Sequence, residues 1–130
     1  MSADERVLRH MVIFGFSSET TDSETDEIVR RFAALRELVP GIDAFEWGPN
    51  TSPEDLNPEL THCFLLTFRS EQARDRYLVD PAHVAFADWV GTWVEHVRVV
   101  DFWADADRPV PRHDRVPSRR GEPRATRALR

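Results

Sequence analysis

The chain has 130 residues, which suits one domain, and its 23 acids outnumber 17 basic residues (all arginine) for a net charge of −6. That acidity argues against binding nucleic acid, which needs a basic face for phosphates, and no apolar run approaches the roughly 20 residues of a membrane helix, so neither a nucleic acid nor a membrane is an expected partner. The opening MSADERVLRH lacks the apolar core of a secretory signal, and the single cysteine, Cys63, rules out an internal disulfide, so the expected location is the cytoplasm.

Residues 7–16, VLRHMVIFGF, are β-branched and aromatic and predict a largely buried strand. Leu8, His10, Val12, Phe14 and Phe16 share one face, and Arg9, Met11 and Ile13 the other. The stretch SSETTDSETDE supplies the oxygens and acids that favour a helix N-terminus. The helix that follows carries Ile28, Phe32 and Leu35, flanked by Val29 and Leu38, at helical spacing, and Pro40-Gly41 ends it. Residues 42–47, IDAFEW, alternate as a second strand, with Ile42, Ala44 and Glu46 opposite Asp43, Phe45 and Trp47.

A long polar loop leads to a third strand over residues 61–68, THCFLLTF, with His62, Phe64, Leu66 and Phe68 on one face. Ser70 caps a second helix that runs through Arg76 to Leu78. Asp80-Pro81 restarts it, because proline fits a first helical turn. Val84, Ala85, Phe86, Trp89 and Val90 then give an apolar stripe. After Gly91 a last strand covers residues 95–103, with Val97, Val99, Asp101 and Trp103 on one side and Arg98, Val100 and Phe102 on the other.

The order β-α-β-β-α-β predicts an α+β, ferredoxin-like domain over residues 1–104, with an antiparallel four-stranded sheet and helices on one face. Strands one, three and four carry large apolar groups on both faces. A second copy is therefore expected over the bare face, giving a homodimer joined through its sheets as a dimeric α/β barrel. Residues 105–130 carry eight arginines against four acids, four of the nine prolines and almost nothing large and apolar. They are expected to be an extended or disordered tail.

Of the five histidines, His113 falls in the tail and His96 among charged neighbours. His10 sits mid-strand, His62 opens the third strand, and His83 lies in the first turn of the restarted helix. Tyr77 is the sole tyrosine. Asp101 stands on an apolar strand face between Val99 and Trp103 and needs a partner, since an unpaired buried carboxylate is expensive. A histidine is the natural one: the pairing fixes the tautomer and leaves the other nitrogen as a base. Tyr77 can then donate to a carbonyl or a developing enolate. This constellation suits proton abstraction without a cofactor. Three histidines also raise zinc or iron, but no pair has i, i+4 spacing and no H-E-x-x-H or C-x-x-C occurs, so no metal is expected. No glycine-rich phosphate loop is present.

The segments LRHMVIFGF, VPGI, FEWG, THCFLLTF, YLVDPAH and VRVVDF resemble the stress-responsive dimeric A/B-barrel family over residues 8–103. That resemblance implies a ferredoxin-like fold paired face to face into a dimeric barrel, with a pocket between sheet and helices in each monomer. The family includes a plant polyketide cyclase that works by aldol condensation. Carried onto this chain, the resemblance implies His83 as base, held by Asp101, with Tyr77 beside it and His10 and His62 as further pocket residues. It implies an apolar lining of Phe14, Ile28, Val29, Phe32, Phe64, Leu78, Val84, Phe86 and Val97. The expected function is a cofactor-free cyclase or lyase acting on a small apolar or polyketide-like ligand. The alternative is a stress-responsive dimeric barrel that binds such a ligand without turnover.

Overall fold

The computed structural model describes residues 6–105, so the tail expected over residues 105–130 lies, apart from Asp105, outside the described residues. Seven elements follow in chain order: β1 (Val7–Phe16), α1 (Asp22–Leu38), β2 (Ile42–Pro49), β3 (His62–Phe68), α2 (Glu71–Val79), α3 (Pro81–Val90) and β4 (Val94–Ala104). The strands form one antiparallel sheet in the order β2-β3-β1-β4. This is the expected α+β, ferredoxin-like arrangement, with the second helix divided in two.

Local chemistry sets the boundaries. Thr21 accepts from the Glu24 N–H at 3.1 Å while the Glu24 carboxylate accepts from the Thr21 N–H at 2.9 Å, a capping box that starts α1. Beyond its end, Gly41 turns the chain with φ of +101°, a region that favours glycine. Ser70 caps α2 by accepting from the Ala73 N–H at 3.1 Å. At Asp80 the backbone turns extended, and its carboxylate accepts from the Ala82 N–H at 2.8 Å to cap α3, whose first residue is Pro81.

Two register shifts interrupt simple alternation, one between Gly15 and Phe16 where β1 pairs with β4 and one in β2. A register shift between Ile42 and Ala44 sets Ile42, Phe45 and Trp47 opposite Phe68, Leu66 and Phe64, on the side that faces the helices. Ile42 was expected with Ala44 and Glu46. A bulge inserts a residue and reverses which face each later side chain meets.

The core lies between the sheet and the helices. Phe32 of α1 packs on Phe64 at a centroid distance of 4.6 Å and on Phe86 of α3 at 4.7 Å, and Phe64 packs on Phe14 at 5.4 Å. Ile28, Phe64, Leu66 and Phe68 are fully buried. β4 forms one edge of the sheet, and the helices pack over β2 and β3 rather than over it. Its inward-facing Val97 and Val99 consequently remain half exposed. Among the described residues no helix lies over the opposite face of the sheet, and Val100 and Phe102 are exposed there.

Candidate functional site

The gap left between the inner face of β4 and the two short helices is a cavity of about 750 Å³. Helix α2 supplies Arg74, Tyr77 and Leu78, whose i, i+3, i+4 spacing places them on one face. α3 supplies His83 and Phe86, β1 supplies His10, Val12 and Phe14, and β4 supplies Val97, Val99 and Asp101.

His10 and Asp101 are directly opposite in the β1–β4 ladder. The His10 Nδ1–H donates to Asp101 Oδ1 at 2.8 Å. The second carboxylate oxygen accepts from Arg74 Nη1 at 2.5 Å, and Arg74 Nε donates to Asp75 Oδ1 at 2.8 Å. The guanidinium is thus held between two carboxylates, which raise its pKa, Asp75 most. With its proton on Nδ1, His10 keeps a lone pair on Nε2.

His83 is held differently. Its Nδ1–H donates to the Leu78 carbonyl at 3.2 Å, one of the acceptors that the end of α2 leaves without a helical partner. Its Nε2 is therefore also a lone pair. Burial lowers the His83 pKa below the ordinary 6.5, with repulsion from His10 adding to it, while the Leu78 carbonyl and Asp80 pull the other way. The Tyr77 ring packs on the His83 ring at a centroid distance of 4.3 Å and meets His10 edge-on at 5.8 Å. Burial pushes the Tyr77 phenol well above its ordinary value, and its hydroxyl has no hydrogen-bond partner among the described residues. The polar end of the cavity is therefore lined by the Tyr77 phenol, two imidazoles and the Arg74, Asp75 and Asp101 side chains, and the remaining wall is almost wholly apolar.

The structure brings together His10, Tyr77, His83 and Asp101, with Phe14, Phe32, Leu78, Phe86 and Val97 in the wall. Asp101, expected to hold His83, instead holds His10, because the β1–β4 register sets those two side by side. His62 is outside the cavity, packed at a tilt on Phe16 at 4.9 Å and stacked on Trp47 at 6.2 Å, with its Nδ1 at 2.9 Å from Thr61 Oγ1. Ile28, Val29 and Phe64 belong to the core packing rather than the wall, and Val84 points away, 43% exposed. Arg74 and Asp75 were not foreseen. The spacing Arg74–Tyr77–Leu78 was the available signal, since it puts the arginine on the tyrosine's face. Among the described residues no group of three His, Cys, Asp or Glu side chains is placed to hold a metal ion.

The profile of the stress responsive A/B barrel domain matches residues 8–104. The chain belongs to that family. A relative within it, the stress-response A/B barrel domain-containing protein HS1 of Arabidopsis thaliana, is 32% identical over 95 residues, covering 73% of this chain and 87% of its own. Olivetolic acid cyclase of Cannabis sativa is 24% identical over 95 residues, covering 73% of this chain and 94% of its own. Among solved structures, hydroxynitrile lyase from Passiflora edulis superposes with a TM-score of 0.71 at 23% identity, over 79% of this chain and 97% of its own, a likeness of fold. A dimeric ferredoxin-like protein of unknown function from Jannaschia superposes with a TM-score of 0.65 at 26% identity, over 74% of this chain and 97% of its own.

Proposed function

We propose that this A/B-barrel protein is a small-molecule enzyme of the cyclase or lyase type that abstracts a proton without a cofactor. His83 is the general base and Tyr77 orients the substrate oxygen. The observation that carries this reading is the packing of the Tyr77 ring, whose hydroxyl has no hydrogen-bond partner among the described residues, on a His83 imidazole whose Nδ1 is tied to backbone. Both stand at the polar end of an otherwise apolar cavity.

His83 Nε2 accepts a proton from a carbon next to a carbonyl, and the Tyr77 O–H donates to the oxygen on which negative charge collects. Burial favours the neutral imidazole, the form a base must have. Asp101 acts on His10 and fixes its tautomer, so a second acceptor faces the ligand. The apolar wall takes the body of a polyketide-like or similar ligand. The relatives named a cyclase and a lyase support a reaction of this kind. The relative named only for stress response supports the second reading, ligand binding without turnover. The working form is a homodimer joined through the sheet face that no described helix covers, in line with the dimeric solved neighbour. Its place of work is the cytoplasm.

The test is exchange of α-protons of aryl and alkyl β-diketones in heavy water, followed by NMR. The wild-type protein accelerates exchange, and His83→Ala lowers that rate by about 10²–10⁴-fold. Diketones that bind without accelerated exchange favour the second reading. Exchange unchanged in His83→Ala removes His83 from its role.

A further inference from the structure

Among the described residues, the polar end of the cavity holds one arginine, Arg74, and its guanidinium is already committed. Its Nε donates to Asp75 and its Nη1 to Asp101, so two carboxylates face one guanidinium. Asp80, which caps α3, adds a further negative charge near His83. The other groups at this end are His10 and His83, each with its Nδ1–H given to a protein acceptor, and the Tyr77 hydroxyl. An ionised carboxylate entering here offers only acceptors. It would lose its water, meet two imidazoles whose Nδ1–H is already given away, and sit in a field to which three acids and one arginine contribute. A hydroxyl group matches the same place: it donates to an imidazole Nε2 and accepts from Tyr77.

We infer that the cavity selects a neutral ligand whose head group donates hydrogen bonds, a hydroxyl, phenol or enol on an aromatic or alkyl body, and discriminates against the corresponding carboxylate. This rests on the reading of the cavity as the ligand site and adds the charge and hydrogen-bonding class of what enters it. Asp75 is the specificity-determining residue most open to test, because its side chain is 66% exposed and is bonded to Arg74.

The experiment compares 2-naphthol with 2-naphthoate, one ring system carrying either a neutral O–H donor or an ionised carboxylate, by calorimetry at neutral pH and low salt to limit screening. The naphthol binds at least about tenfold more tightly to the wild-type protein, a difference of about 1.4 kcal/mol. Asp75→Asn narrows the ratio by about threefold or more, and Val99→Trp, which fills the cavity, abolishes naphthol binding. Naphthoate bound as tightly as naphthol, or an unchanged ratio in Asp75→Asn, overturns the selectivity and leaves the cavity as a ligand site. Binding of neither probe, or naphthol binding untouched by Val99→Trp, overturns the ligand-site reading and the inference with it.

Discussion

His10 and Asp101 stand opposite each other across the β1–β4 ladder and are joined side chain to side chain at 2.8 Å, although 91 residues separate them. The same carboxylate takes Arg74 from α2. One acid therefore ties two strands and a helix around the mouth of the cavity. Asp101→Ala leaves the Arg74 and His10 donors without their shared acceptor and destabilises the protein by about 1–3 kcal/mol. For a domain of this size each kcal/mol lowers Tm by roughly 4–8 °C. A Tm within a degree of wild type by scanning calorimetry would show that the network contributes nothing.

Tyr77 tests the opposite case. Its ring contacts His10, Phe68 and His83, but its hydroxyl bonds to no described residue. Tyr77→Phe keeps the ring and changes stability by less than about 0.5 kcal/mol in denaturant titration. The same change slows α-proton exchange by about 10²-fold, the typical loss of one donor to developing charge. A large loss of stability would mean that the hydroxyl serves the fold.

Acid weakens the fold through two histidines. Burial lowers the pKa of His83, and burial lowers that of His62. The unfolded chain, with its imidazoles at the ordinary value of 6.5, then binds more protons than the folded one as the solution acidifies. The stability drawn from keeping both rings neutral is complete above about pH 6.5 and is lost as pH falls through the lower folded values. Tm declines across that window, and declines less in the double variant His62→Phe, His83→Leu. A Tm that rises on acidification contradicts the assignment.

The sheet face that no described helix covers carries Met11, Ile13, Leu65, Val100 and Phe102, with the last two exposed. A large exposed apolar face of this kind marks a contact surface. Sedimentation at micromolar concentration gives a dimer for the wild-type chain and a monomer for the pair Val100→Glu, Phe102→Glu. A stable wild-type monomer refutes pairing through this face.

Most of the fold was legible because it is written locally. The period of two in β1 and β3, the capping residues Thr21, Ser70 and Asp80, and Pro81 at a first helical position each act within a few residues. The bulge at Ile42–Ala44 was not legible, since an inserted strand residue leaves no side-chain signature. The site was legible in its residue types but not in its pairings. Which histidine Asp101 meets depends on the β1–β4 register, a long-range property. Arg74 sits on a helix whose other arginine and acids read as a solvated face. Ile28 and Phe64 differ from Phe14 and Phe32 as cavity wall only by which side of a packed ring cluster is open.

The interruption between α2 and α3 has a consequence for where a proton resides. In an unbroken helix the Leu78 carbonyl would accept from the Ala82 N–H. Here Ala82 donates to Asp80 instead, and the imidazole of His83 inherits the carbonyl. A one-residue discontinuity thus selects the tautomer of a side chain, a task usually given to a neighbouring acid. The orientation of the base is carried by the main chain, so it survives the loss of any single carboxylate around it. Conversely, splicing the two helices into one would return the carbonyl to the helical ladder and leave the ring free to hold its proton on the wrong nitrogen, with every residue of the cavity still in place.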